Sequence, residues 1–226
     1  MPRQLTFDLA AKPALGREDF FVSPANAVAV AQIGTWPGWP GNKLALIGPE
    51  GSGKTHLAHV WAATSGARIV PAAALAEADV PALASGPVAI EDVPAIAGDG
   101  AAQRTLFHLH NLVLANGQSL LVTGRGEPAF WGLTLPDLAS RMQGTPTVGL
   151  NPPDDALLGA VILKLFADQQ LAPPPDVIAY LVTRIERSFA SAQSVVARLD
   201  AASMADKRPL TRAYVGRLLD NSAQNG

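Results

Sequence analysis

Leu44-Ala-Leu-Ile-Gly-Pro-Glu-Gly-Ser-Gly-Lys-Thr-His-Leu57 decides how the rest of the chain is read. An apolar run, Leu44 to Ile47, stops at Gly48. A glycine-rich turn leads to Lys54-Thr55, and apolar residues return at helical spacing in Leu57, Ala58, Val60 and Trp61. Glycines at 48, 51 and 53 let successive backbone N–H groups turn inward around an anion, with no Cβ atoms in its way. The helix that follows adds its partial positive charge at the same spot. The stretch fits G-x-x-x-x-G-K-[ST], the phosphate-binding P-loop, in the required order of strand, loop and helix. The four fixed positions recur by chance in roughly one chain of this length in a hundred. Gly48, Pro49, Glu50, Gly51, Ser52, Gly53, Lys54, Thr55 and His56 are the expected phosphate-side residues of a nucleotide site. Lys54 is expected to reach the β- and γ-phosphates, and the Thr55 hydroxyl to ligate Mg²⁺.

With 226 residues, 48% of them hydrophobic, the chain has room for one α/β domain and a small second one. The net charge is −2, and no Lys/Arg-rich run is present, so tight direct binding to DNA is not expected. The absence of cysteine excludes disulfides and thiolate metal sites and suits a reducing cytosol. No stretch reaches the ~18 uninterrupted apolar residues of a membrane span. The start, Met1-Pro2-Arg3-Gln4, lacks the apolar core of a signal peptide, so a cytoplasmic protein is expected.

Downstream of the P-loop, strands and helices alternate. Ala67–Val70 reads as a strand, Pro71–Ala84 as two short helices, and Pro87–Asp92 as a buried strand ending in Glu91 and Asp92. In a P-loop protein such a strand end places acids at the Mg²⁺ and the attacking water. Ala101–Asn116 has a helical apolar stripe in Leu106, Phe107, Leu109 and Leu112, and Gly117 is placed for a left-handed cap. Ser119–Thr123 is another buried strand, its polar end Thr123 expected beside the γ-phosphate. Leu135–Arg141 reads as a helix and Pro146–Leu150 as a last short strand. This alternation predicts a parallel sheet with helices on both faces. After the break at Asn151-Pro152-Pro153, the spacing predicts helices only: Ala156–Gln169, Pro175–Ile185, Ala190–Ala205 and Thr211–Asp220. The expected division is an N-terminal segment, 1–19, an α/β nucleotide-binding domain, 20–151, and a small all-α domain, 152–226.

Upstream, Ser23 is the expected N-cap of a helix reaching about Ile33, with Pro24 at its first position. Trp36 and Trp39 lie in a turn-rich connector, where they could stack on a base or pack internally. In Gln4-Leu5-Thr6-Phe7-Asp8-Leu9, the residues Leu5, Phe7 and Leu9 alternate with polar ones. An extended peptide of that period shows one apolar edge, which either docks into a partner's groove or packs back as a short edge strand.

A P-loop α/β domain, an acidic strand, a polar-ended strand, a late arginine and a helical lid together resemble the AAA+ ATPases. The closer resemblance is to the branch containing the bacterial replication initiator DnaA and its regulatory relative Hda. It runs from about residue 20 to 220. Asn26 stands where that branch has an asparagine near the base. Gly48–Leu57 is similar to its "GKTHL" P-loop, Ile90-Glu91-Asp92 occupies the Walker B place, and Leu121-Val122-Thr123 the sensor-1 place. Leu138-Ala139-Ser140-Arg141 resembles the element that carries the arginine finger.

The resemblance implies bound ADP or ATP with Mg²⁺, held at Thr55 and Glu91, and catalytic roles for Arg141, Asp92, Glu91 and Thr123. It also makes Gln4, Leu5, Phe7 and Leu9 a peptide for the β sliding clamp of DNA polymerase III. DNA would then be met only through the clamp, at the nucleoid. The sequence ends after the lid, so the initiator's helix-turn-helix is expected to be missing, which fits an Hda-like regulator of DnaA rather than an initiator. Two departures, Glu91 for the usual aspartate and Ala190 at the sensor-2 place, imply weak or no intrinsic ATPase. A helicase-loader-type ATPase is the alternative, and a small-molecule kinase fits less well. Homo-oligomerisation stays open.

Overall fold

The computed structural model describes residues 21–223, with side chains through 220. The peptide Gln4–Leu9 therefore lies outside the described residues. α1 spans Ala27–Gly34, later than expected. The Ser23 carbonyl accepts from the N–H groups of Asn26 and Ala27, and the Ser23 hydroxyl accepts from Ala25 N–H. Ser23-Pro24-Ala25-Asn26 is thus a turn in front of the helix, and Asn26, not Ser23, is the N-cap residue.

β1 (Lys43–Ile47) leads through the P-loop into α2 (Lys54–Ser65). β2 (Arg68–Pro71) precedes a 3-10 turn at Ala72–Glu77 and the single turn α3 (Val80–Leu83), where two short helices were expected. β3 (Val88–Glu91) runs into a further 3-10 turn, Val93–Ile96, and then α4 (Gly100–Ala115). The Asp99 carboxylate caps α4 by accepting from Ala101 and Ala102 N–H, and Gly117 closes it with φ +67°. β4 (Leu120–Gly124), α5 (Pro136–Gln143) and β5 (Thr147–Gly149) complete this part. Helices α6 (Asp155–Asp168), α7 (Pro175–Val182), α8 (Phe189–Asp206) and α9 (Arg212–Ala223) follow.

The sheet is parallel throughout, in the order β2-β3-β4-β1-β5. Successive strand residues point to opposite faces. Ala45, Val88, Ile90, Leu120 and Val122 therefore pack against α4 and α5. Leu44, Leu46, Ala89, Leu121 and Val148 pack on the other face with α1 and α2. This two-sided burial explains why β3 and β4 read as unbroken apolar runs. Trp39 stacks on Trp61 at 5.1 Å, and Trp36 meets it edge-on at 6.3 Å, so the connector tryptophans belong to this core. Helices α6 to α9 build a separate apolar cluster around Leu158, Ile162, Phe166, Leu181 and Leu199. Among the described residues no helix is long and apolar enough to cross a membrane.

Candidate functional site

The parallel sheet brings the carboxyl ends of β1, β3 and β4 to one edge, the usual place for a ligand crevice in such folds. Pairing in register sets Ile47 beside Gly124, and Gly48 N–H donates to the Gly124 carbonyl at 3.3 Å. A cleft of about 550 Å³ opens there, between the P-loop and the helical region, within the range of ligand sites. Its walls include Glu50, Gly51, Gly53, Lys54, Thr55 and His56 from the loop, together with Glu91, Asp92 and Thr123 from the neighbouring strand ends.

The loop is shaped by contacts that only glycine allows. Gly51 and Gly53 have φ of +69° and +95°. A Cβ on Gly51 would lie 2.3 Å from the Ser188 Cβ, and one on Gly53 2.8 Å from the Phe189 ring. Phe189 N–H donates to the Gly51 carbonyl at 3.0 Å, so the first turn of α8 is fastened to the loop. The Lys54 ammonium donates to the carbonyls of Gly48 and Pro49 at 2.8 and 2.7 Å. Its pKa is lowered, first by burial and then by the Arg125 guanidinium, against the opposing pull of Asp92 and Glu50. A lysine so placed gains from an anion that restores its lost solvation.

Opposite the loop, Asp92 has the uncommon backbone φ of +54°, and its N–H donates to the Thr123 hydroxyl at 3.0 Å. This strained turn ties the ends of β3 and β4 together, and such strain clusters at functional sites. The buried Glu91 Oε1 has no hydrogen-bond partner in the protein. A buried carboxylate oxygen left in that state is costly, and a cation satisfies it. Glu91 with Thr55 on the facing loop thus fits the oxygen chemistry of Mg²⁺. Among the described residues no group of three His, Asp or Glu forms a metal site by itself, so the ion would share its shell with phosphate and water.

Two expected site residues lie elsewhere. Asn26 is not in the cleft wall: its Oδ1 accepts from Ser23 N–H and its Nδ2 donates to the Phe21 carbonyl, both at 2.9 Å. Arg141 is exposed near the amino end of β1, where its carbonyl accepts from the Lys43 ammonium at 3.3 Å. It cannot meet a ligand in its own cleft.

Three contributors escape a reading of the sequence. Arg125 enters the cleft from the loop after β4 and pairs with Glu50 at 2.8 Å. Phe189 covers the loop from α8. Gln103, fully buried on α4, donates to the carbonyls of Ile96 and Ala97 and accepts from Thr134 and Leu135 N–H. It fastens the loop after β3 to the one after β4. A glutamine within an apolar helix stripe was its only visible signal.

Residues 160–219 match the protein family described as "Hda, lid domain". The fold is similar to domain III of the replication initiation protein DnaA of Thermotoga maritima. That match has TM-score 0.79 and 19% identity, over 92% of this chain and 97% of that one. AMPPCP-bound DnaA from Aquifex aeolicus is similar with TM-score 0.66 and 21% identity, over 82% of this chain and 64% of that one. The Thermotoga maritima RuvB Holliday junction branch migration motor follows with TM-score 0.62 and 17% identity, over 79% and 61%. This chain therefore spans less than two thirds of those two longer proteins. The chain thus joins a five-stranded parallel sheet with the fold of DnaA domain III to a helical region whose residues 160–219 match the Hda lid family.

Proposed function

We propose that this protein is a negative regulator of replication initiation that binds adenine nucleotide and promotes hydrolysis of DnaA-bound ATP. The lid family and the DnaA-like fold support a replication or DnaA-regulatory AAA+ protein. The observation that carries the nucleotide reading is the cleft itself, with loop glycines and Lys54 on one wall and Glu91, Asp92 and Thr123 on the other. The domain division that goes with it is a core of 20–151 and a lid of 152–226.

In this reading the loop from Gly48 to His56 holds the phosphates of ADP or ATP, and Thr55 and Glu91 hold Mg²⁺. The ion, when bound, neutralises phosphate charge. Asp92 and Thr123 orient the groups facing the terminal phosphate. The lid contributes the methyl of Ala190 where a cation would assist turnover, so the bound nucleotide is mainly a structural ligand. Arg141 acts outside its own cleft. An exposed guanidinium at the far end of β1 can enter the site of a neighbouring molecule, and such fingers are worth about 10³–10⁵ in rate. Gln4, Leu5, Phe7 and Leu9 dock on the β sliding clamp, which brings the protein to DNA in the cytoplasm without its own basic surface.

The test is hydrolysis of DnaA-bound ATP in the presence of DNA-loaded clamp. The unaltered protein is expected to stimulate it, Arg141→Ala to abolish the stimulation, and replacement of Gln4 and Phe7 to reduce it. No stimulation by saturating unaltered protein would overturn the proposal.

A further inference from the structure

The Glu50–Arg125 pair has no place in the scheme above, and it stands at the mouth of the cleft. Because β1 and β4 end side by side, Arg125 begins its loop next to the first glycine of the P-loop. Its guanidinium lies 2.8 Å from Glu50, a position that the P-loop pattern leaves unspecified. Both side chains are largely exposed, 59% and 75%, and ion pairs this open contribute little. Such a pair breaks readily when a better anion arrives.

Three cationic side chains face the cleft among the described residues: Lys54, Arg125 and, from α6, Lys164. The Arg125 guanidinium is among the groups that lower the Lys54 pKa, after burial. Two like charges thus converge on one spot, an arrangement that an anion relieves. From α8 the cleft receives only uncharged groups, Phe189, Ala190 and Gln193. The loop's N–H groups and Lys54 serve the phosphates seated within it. A guanidinium arriving from β4, beside Asp92 and Thr123, meets what extends past the loop. Its planar fork also matches a phosphate bidentately, which an ammonium does not.

We propose that Arg125 recognises the terminal phosphate of a nucleoside triphosphate, which draws it away from Glu50, so that this residue distinguishes triphosphate from diphosphate. The inference rests on the reading of the cleft as a nucleotide site and goes one step beyond it. Glu50 is then a built-in competitor that holds the arginine when no γ-phosphate is present.

The experiment is titration of fluorescent methylanthraniloyl-ATP and methylanthraniloyl-ADP into the full-length protein and its variants. Arg125→Ala is expected to weaken the triphosphate on the order of tenfold and to leave the diphosphate within about twofold. Glu50→Gln is expected to tighten the triphosphate selectively, because the competing carboxylate is gone. Lys54→Ala is expected to weaken both. Equal effects of Arg125→Ala on the two nucleotides, or none, would overturn the assignment while leaving the nucleotide site intact. No binding of either nucleotide by the unaltered protein would overturn both.

Discussion

At the carboxyl end of β1, Lys54 donates to two loop carbonyls beside Arg125. At the amino end of the same strand, Lys43 donates to the Arg141 carbonyl and lies 3.4 Å from His110 Nε2. Both ammonium groups have lowered pKa values, each through burial first and a neighbouring arginine second. The difference is in what opposes them. Asp92 and Glu50 pull Lys54 back up, while no carboxylate is among the groups acting on Lys43. One end thus mixes both signs, as a site for a phosphate with its cation requires. The other gathers positive charge under an exposed arginine, which suits an anion brought by a partner.

The sharpest way to break this comparison is to remove each lysine. Lys54→Ala is expected to weaken nucleotide binding on the order of a hundredfold, the loss of charge-assisted contacts to phosphate. Lys43→Ala should leave nucleotide affinity unchanged in the same titration. If the two variants behaved alike, the ends of β1 would not be functionally distinct.

Gly51→Ala probes the cleft end through its backbone. Left-handed geometry alone costs a non-glycine residue about 1–2 kcal/mol, and the new methyl group also meets Ser188. A lowered thermal midpoint together with weakened nucleotide binding is expected.

The amino end can be probed by pH. Burial, with Lys43 and Arg141 nearby, lowers the His110 pKa to about 4 despite a hydrogen bond to Asn111. The imidazole is then neutral at physiological pH, and Nδ1–H facing Asn111 Oδ1 leaves Nε2 to accept from Lys43. A depressed pKa in the folded state means that the unfolded chain takes up the proton first. Stability is therefore full above about 6.5 and declines as pH falls towards about 4. Denaturant titrations across that window should show the decline, and His110→Gln should flatten it.

The smallest effect belongs to the helical region. The Asp154 carboxylate caps α6 by accepting from Leu157 N–H at 2.8 Å. Asp154→Ala is expected to cost about 1 kcal/mol in denaturant unfolding, with no change at either end of β1.

Much of this was legible in the sequence because it rests on local rules. The P-loop has fixed spacing, Glu91 and Asp92 end an apolar run, and the helices of the lid announce themselves by periodicity and by caps such as Asp154. What was missed depends on neighbours far apart along the chain. Arg125 belongs to the site only because β4 pairs with β1, and Phe189 only because α8 returns to the loop. Asn26 illustrates the opposite case. It holds its expected position in the sequence, yet both ends of its amide are committed to the turn before α1. Ser23 misled for a related reason, since a Ser-Pro pair suits a tight turn as well as a helix start.

The hydrogen bond from Phe189 N–H to the Gly51 carbonyl also constrains binding in general. It joins the loop to the first turn of the lid, so a ligand that resets the loop's curvature changes how readily the lid tilts. Thermodynamic linkage makes that influence mutual. A protein that grips the lid and tightens the grip on nucleotide by some factor must itself be held tighter, by the same factor, once nucleotide is bound.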